Sequence, residues 1–175
     1  MPEAPEIPEA NDPFEKRAAV TIAILAVALA VIGNKGDNAK TDAIIKTNEA
    51  ANQYAWYQAK SIKGGIATAE HELLTLLAPS QNGAADIAKI TAELKAKVEK
   101  YEKEQEGIKE KGDEAKKDAE TGSKINDRCD HGSLALQIAI VIASVSILAR
   151  SHTFWIASII LGLIGIGIGV TAFML

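Results

Sequence analysis

The chain has 175 residues, 47% hydrophobic and 24% charged, with a net charge of −4. Residues 34–131 hold 16 of the 19 Lys and Arg and 18 of the 23 Asp and Glu, while 18–33, 133–149 and 154–175 hold none. That segregation excludes a single soluble core and describes an all-α membrane protein with one polar insert. The acidic balance excludes a basic footprint for nucleic acid.

Residues 1–17 form an acidic, proline-rich tail carrying Glu3, Glu6, Glu9, Asp12 and Glu15. The first apolar span, 18–33, follows Lys16 and Arg17. Ala28-Leu29-Ala30 has the form of a signal-peptide cleavage site, but signal n-regions are basic and this leader is acidic. The span is therefore read as a transmembrane helix, short for a bilayer at 16 residues.

The insert, 34–131, has one clear punctuation point at Pro79-Ser80-Gln81-Asn82-Gly83. Upstream, Ile45, Asn48, Asn52, Ala55, Ala59, Ile62, Ile66, Ala69, Leu73 and Leu76 alternate steps of three and four. Downstream, Ile87, Ile90, Leu94, Val98, Tyr101, Gln105, Ile108, Gly112, Ala115 and Ala119 nearly do the same. That is the heptad period of a coiled coil. The two arms are nearly equal, 45 residues from Asn34 to Ala78 and 48 from Ala84 to His131. They predict a long antiparallel, coiled-coil-like hairpin between the first and second spans. Gly64-Gly65 predicts a break or kink in the first arm, since two interior glycines cost about 2 kcal/mol relative to alanine. The weak seam at Gly112, Ala115 and Ala119 predicts bending or fraying around 107–124, or packing against other copies. The charged run 101–120 reads as a solvated helix face.

Asn48 and Asn52, at seam positions, are of the kind that sets register and oligomer number. Beside them, Tyr54, Trp56 and Tyr57 are three of the chain's eight aromatics. Aromatics so closely spaced cannot all face one seam. Lys60 lies four residues after Trp56, within reach of its indole. These six residues form the candidate interface.

Cys129 is the only cysteine, in Asp127-Arg128-Cys129-Asp130-His131. One Cys and one His two apart lack zinc spacing, and the flanking carboxylates raise a thiol pKa. Glu70-His71-Glu72 points its side chains in different directions around a helix and lacks the H-E-x-x-H form. No nucleophile elbow, P-loop or dinucleotide fingerprint is present. No catalytic residue, metal or cofactor is expected.

The second span is 133–149 and the third is 154–175, joined by Arg150-Ser151-His152-Thr153. Trp155 stands where an interfacial aromatic belongs. Each span carries a small-residue stripe: Ala19, Ala23, Ala26 and Ala30; then Ala135, Ala139, Ala143 and Ser146; then Ser158, Gly162, Gly165 and Gly169. Such stripes bring helix backbones close, within or between chains. None of the spans holds an ionisable group, which argues against a pump or proton-coupled transporter.

The segment Asn52-Gln53-Tyr54-Ala55-Trp56-Tyr57-Gln58-Ala59-Lys60-Ser61-Ile62-Lys63 resembles the signature of the bacterial membrane-protein family DUF4337. The element Asp12-Pro13-Phe14-Glu15-Lys16 and the order of span, helical insert and two closing spans are similar too. The resemblance implies a bacterial membrane protein and brings no catalytic residues; the inner membrane is the expected location. Counting Lys and Arg beside the spans puts the insert on the cytoplasmic side, although a loop this long is largely outside that rule.

The expected function is structural or scaffolding: an integral membrane protein, in contact with lipid, self-associating through its small-residue spans and its helical stalk. The rival readings are an oligomeric channel or channel regulator, and a sensor or adaptor whose hairpin binds a protein partner.

Overall fold

The computed structural model describes residues 12–77 and 84–175. Among them lie three helices: α1 (Pro13–Leu77), α2 (Ala84–Leu148) and α3 (His152–Thr171). All three are long and apolar enough to cross a membrane. The turn expected at Pro79–Gly83 lies outside the described residues.

The start of α1 follows from Asp12-Pro13-Phe14-Glu15. The Asp12 carboxylate accepts the Phe14 N–H at 2.9 Å, and the Asp12 carbonyl accepts the Lys16 N–H. Asp12 is thus the N-cap, Pro13 takes the first helical position where its missing N–H costs nothing, and Glu15 adds negative charge to the first turn.

Two expectations are corrected. The helix runs unbroken through Gly64-Gly65, because Gly64 is buried and serves close packing. A Cβ there would lie 3.4 Å from Gln105 Nε2 and 3.7 Å from Tyr101 Cβ. Likewise α2 is continuous through 107–124, where Gly112, Ala115 and Ala119 are buried.

The chain divides into two compact units, Met1–Asp42 with Thr121–Leu175, and Ala43–Glu120. In the first, α3 lies parallel to α1: Gly162 meets Leu25 and Gly169 meets Ile32. It lies antiparallel to α2, with Gly165 against Gly132, Ala135 and Leu136. The join between α2 and α3 is tight. Arg150 takes a left-handed conformation, φ 45°, and its N–H bonds to Ile147 O while the Ser151 N–H bonds to Ser146 O. This is a Schellman closure with arginine where glycine is usual.

In the second unit the contacts between α1 and α2 run in opposite senses along the two helices. Lys46 is 4.0 Å from Asp118, and Lys60 is 2.5 Å from Glu104.

Candidate interface surfaces

In the first unit, α2 and α3 pack on each other largely through small side chains. Ser158, Gly162, Gly165 and Gly169 are the buried residues of α3, and Gly132, Ala139, Ala143 and Ser146 are buried on α2. At Gly132 the two helices meet backbone on backbone: a Cβ there would lie 2.9 Å from Gly165 O and 3.1 Å from Gly169 Cα. The glycine groove of α3 receives the large side chains of α1, Leu25 and Ile32. Within the chain, the stripe expected on the first span is not the packing line. Ala19, Ala23, Ala26 and Ala30 are exposed, and Ala18, Leu25 and Ile32 are the buried line. A wide residue fits a groove made by glycines, so the bulky line of α1 turns inward.

The outer surface of this unit is the reverse. Val20, Ile24, Val27, Val31, Ile138, Val141, Ile160 and Leu163 are all exposed. Polar rims bound this belt. At one end Glu15 and Arg150 approach to 3.7 Å, and Trp155 Nε1 donates to Thr21 Oγ1 at 3.1 Å. Phe14 stacks there on His152 at 4.4 Å. At the other end Arg128 donates to the Thr171 carbonyl at 3.3 Å, and Lys35 lies 5.7 Å from the Phe173 ring centre. A cation against the C-terminal carbonyls of α3 matches its dipole.

Cys129 is fully buried beside this second rim, and a Cβ on Gly36 would lie 2.8 Å from its Cβ. Burial pushes its thiol pKa up; Lys35 opposes this and Asp130 adds to it. It packs two helices closely and is poorly suited to act as a nucleophile.

In the second unit, the seam expected on the second arm is observed except for Ile90, which is exposed. The seam expected on the first arm is corrected: all ten of its positions from Ile45 to Leu76 are exposed. The inward line lies two residues earlier and has the same seven-residue period. It comprises Ala43, Lys46, Ala50, Gln53, Tyr57, Lys60, Gly64, Ala67, His71 and Leu74, all partly or fully buried. Small residues on it let the helices approach, and polar residues on it reach across.

The six candidate interface residues accordingly split. Tyr54 donates its phenolic hydrogen to the Asp113 carboxylate at 2.6 Å. Lys60 is held across the helices by Glu104 and lies 5.2 Å from the Tyr101 ring centre, so its cation turns to α2 rather than to Trp56. Tyr57 is partly buried on the inward line. Asn48, Asn52 and Trp56 face outward, Trp56 being 67% exposed.

These polar contacts shift ionisation. The hydrogen bond to Asp113, then burial, raises the Tyr54 pKa. The hydrogen bond from Lys60 lowers that of Glu104. The raised Tyr54 value means its contribution is present below the ordinary phenol pKa, about 10, and is lost as pH rises through the folded value. The lowered Glu104 value means its contribution is present above the ordinary carboxylate pKa, about 4, and is lost as pH falls through the folded value. Asp113→Asn is expected to move the Tyr54 transition back toward about 10. Tyrosinate absorbance during alkaline titration measures this; an unmoved transition would contradict the assigned hydrogen bond.

Sequence reasoning missed Phe14, Gly36 and Gly132. For Phe14 the signal was the capping pattern around it; for the glycines, only their place at the edges of apolar runs.

The described residues thus define an all-helical arrangement with three helices long and apolar enough to span a membrane. The chain belongs to the DUF4337 family, a domain of unknown function, whose family model matches residues 14–175. No curated protein and no solved structure matches it.

Proposed function

We propose that the chain is a structural or scaffolding integral membrane protein of the bacterial inner membrane that self-associates. In this reading α1 enters the bilayer through residues 18–33, and α2 and α3 form the second and third spans. A coiled-coil-like hairpin is inserted between the first and second spans, on the cytoplasmic side.

One observation carries the reading. The first unit packs around Gly, Ala and Ser with a few large residues (Leu25, Ile32 and Leu136), and leaves most of its branched apolar residues exposed between two polar rims. In water that arrangement is costly, because large apolar surface is the surface burial should remove. In lipid it is favourable, because association there depends on close packing rather than on hiding apolar area. The 20 residues of α3 rise about 30 Å, the thickness of a hydrocarbon core. Because the small-residue stripes of α2 and α3 are spent within the chain, self-association falls to other surfaces.

The test is mass and conductance of purified full-length protein in nanodiscs and planar bilayers. A discrete oligomer without selective current is expected. A monomer would refute self-association, and robust selective currents would replace the scaffold with a channel.

A further inference from the structure

The first arm carries two lines with the same seven-residue period, and the chain itself uses only one. The small and polar line is spent against α2. The outward line holds five of the larger aliphatic residues of the first arm: Ile62 is 64% exposed and Leu73 57%, with Ile45, Ile66 and Leu76 on the same line. A solvated helix face gains nothing from placing such residues at alternating steps of three and four. A helix that meets a second helix does.

We infer that this outward line is the seam along which a second copy of the chain packs, parallel and in register through α1. The inference rests on the membrane reading above. Identical copies inserted with the same topology carry equal residues at equal height, so α1 meets α1 in parallel. The outward line is self-complementary in that arrangement, since every position meets its own equivalent. Asn52 would meet Asn52 of the second copy, and Asn48 its equivalent. Polar pairs at such positions fix register and subunit number.

Charge does not oppose this pairing. Residues flanking a parallel seam meet five positions apart. Ala51 would face Trp56 of the second copy, Gln58 its Lys63, and Gly65 its Glu70. None of these places like charges together. The space is also open: nothing in the chain lies within 4 Å of a Cβ at Gly65. Trp56, exposed within one copy, gains a small residue to cover. The seam also explains why an apolar line stays outside on the first arm, whose inward line is mostly small and polar.

The experiment is disulfide trapping in full-length protein in native membranes and nanodiscs. Equivalent seam positions in a parallel pair come within the Cα spacing a disulfide needs, about 4.4–6.8 Å. Ile62→Cys, Ile66→Cys and Leu73→Cys should each give a dominant dimer under mild oxidation. Ala67→Cys, on the inward line, and the wild type, whose Cys129 is buried, should give none. In parallel, Ile66→Glu with Leu73→Glu should lower the mass in nanodiscs toward a single chain, with helix content by circular dichroism unchanged. An oligomeric wild type with no trapping, and a mass unchanged by the glutamates, would overturn the seam and leave the scaffold reading standing. In membranes carrying both the Ile62→Cys and the Leu73→Cys chains, trapping only between these unlike positions would overturn the parallel register. A monomeric wild type would overturn both.

Discussion

Gly165→Leu is expected to separate α3 from α2 while leaving both helical. The reason is the absence of anything that can give way. A Cβ on Gly165 would lie 2.9 Å from the carbonyl oxygen of Gly132 and 3.1 Å from both the Ala135 Cβ and the Leu136 Cγ. The nearest of these is backbone, and Leu136 is fully buried, so neither can rotate away. Overpacking of a tight site costs about 1–3 kcal/mol, and the upper end applies here because four carbons are added. Gly132→Leu meets the same wall from the other side. Gly167 supplies the control: it lies two residues along the same helix, and nothing is within 4 Å of its Cβ. Gly167→Leu should leave stability unchanged or raise it, since glycine is the poorer helix former by about 1 kcal/mol relative to alanine. Unfolding in detergent, followed by Trp155 fluorescence, measures the difference. Equal stability for the 165 and 167 variants would refute the backbone contact.

That contrast also shows what was legible. Ser158, Gly162, Gly165 and Gly169 stand as a narrow line among Ile and Leu, and α3 offers no second line of small residues. The stripe was therefore readable from spacing alone. The first span is alanine-rich and offers several small lines. Which one turns inward is settled by the partner, and a glycine groove selects Leu25 and Ile32. Such a choice belongs to a pair of helices and is invisible in one.

The two arms differ for a similar reason. On the second arm only one line has heptad spacing, and it is the inward one. The first arm has two lines two residues apart. Counting apolar residues finds Ile62, Ile66 and Leu73, because they are the most hydrophobic. What turns the other line inward is close approach at Ala50, Gly64 and Ala67, together with cross-helix partners such as Glu104 for Lys60. Hydropathy scores both features as weak. The Gly64-Gly65 pair falls in the same gap. Two glycines look like a helix breaker until one of them is seen packed against Tyr101 and Gln105.

Gly112→Leu and Gly107→Leu should move stability in opposite directions, although they lie five residues apart on α2. A Cβ on Gly112 would lie 3.3 Å from both the Gln53 Cβ and the Tyr54 ring. Leucine there pushes α2 away from α1 at the level of the Tyr54–Asp113 hydrogen bond. A loss of about 1–3 kcal/mol is expected from overpacking. At Gly107 nothing lies within 4 Å, so leucine removes only the conformational freedom of glycine and should gain close to 1 kcal/mol. Thermal melts by circular dichroism give the two signs. A second readout separates a local shift from general weakening. If α2 moves at Gly112, the phenol of Tyr54 loses its carboxylate partner and its ionisation falls toward the ordinary value, as in Asp113→Asn. Gly107→Leu should leave that titration where it is. A Gly112→Leu protein that melts early with Tyr54 still raised would show that the strain is relieved elsewhere and that the Gly112 contact does not hold the two helices at this level.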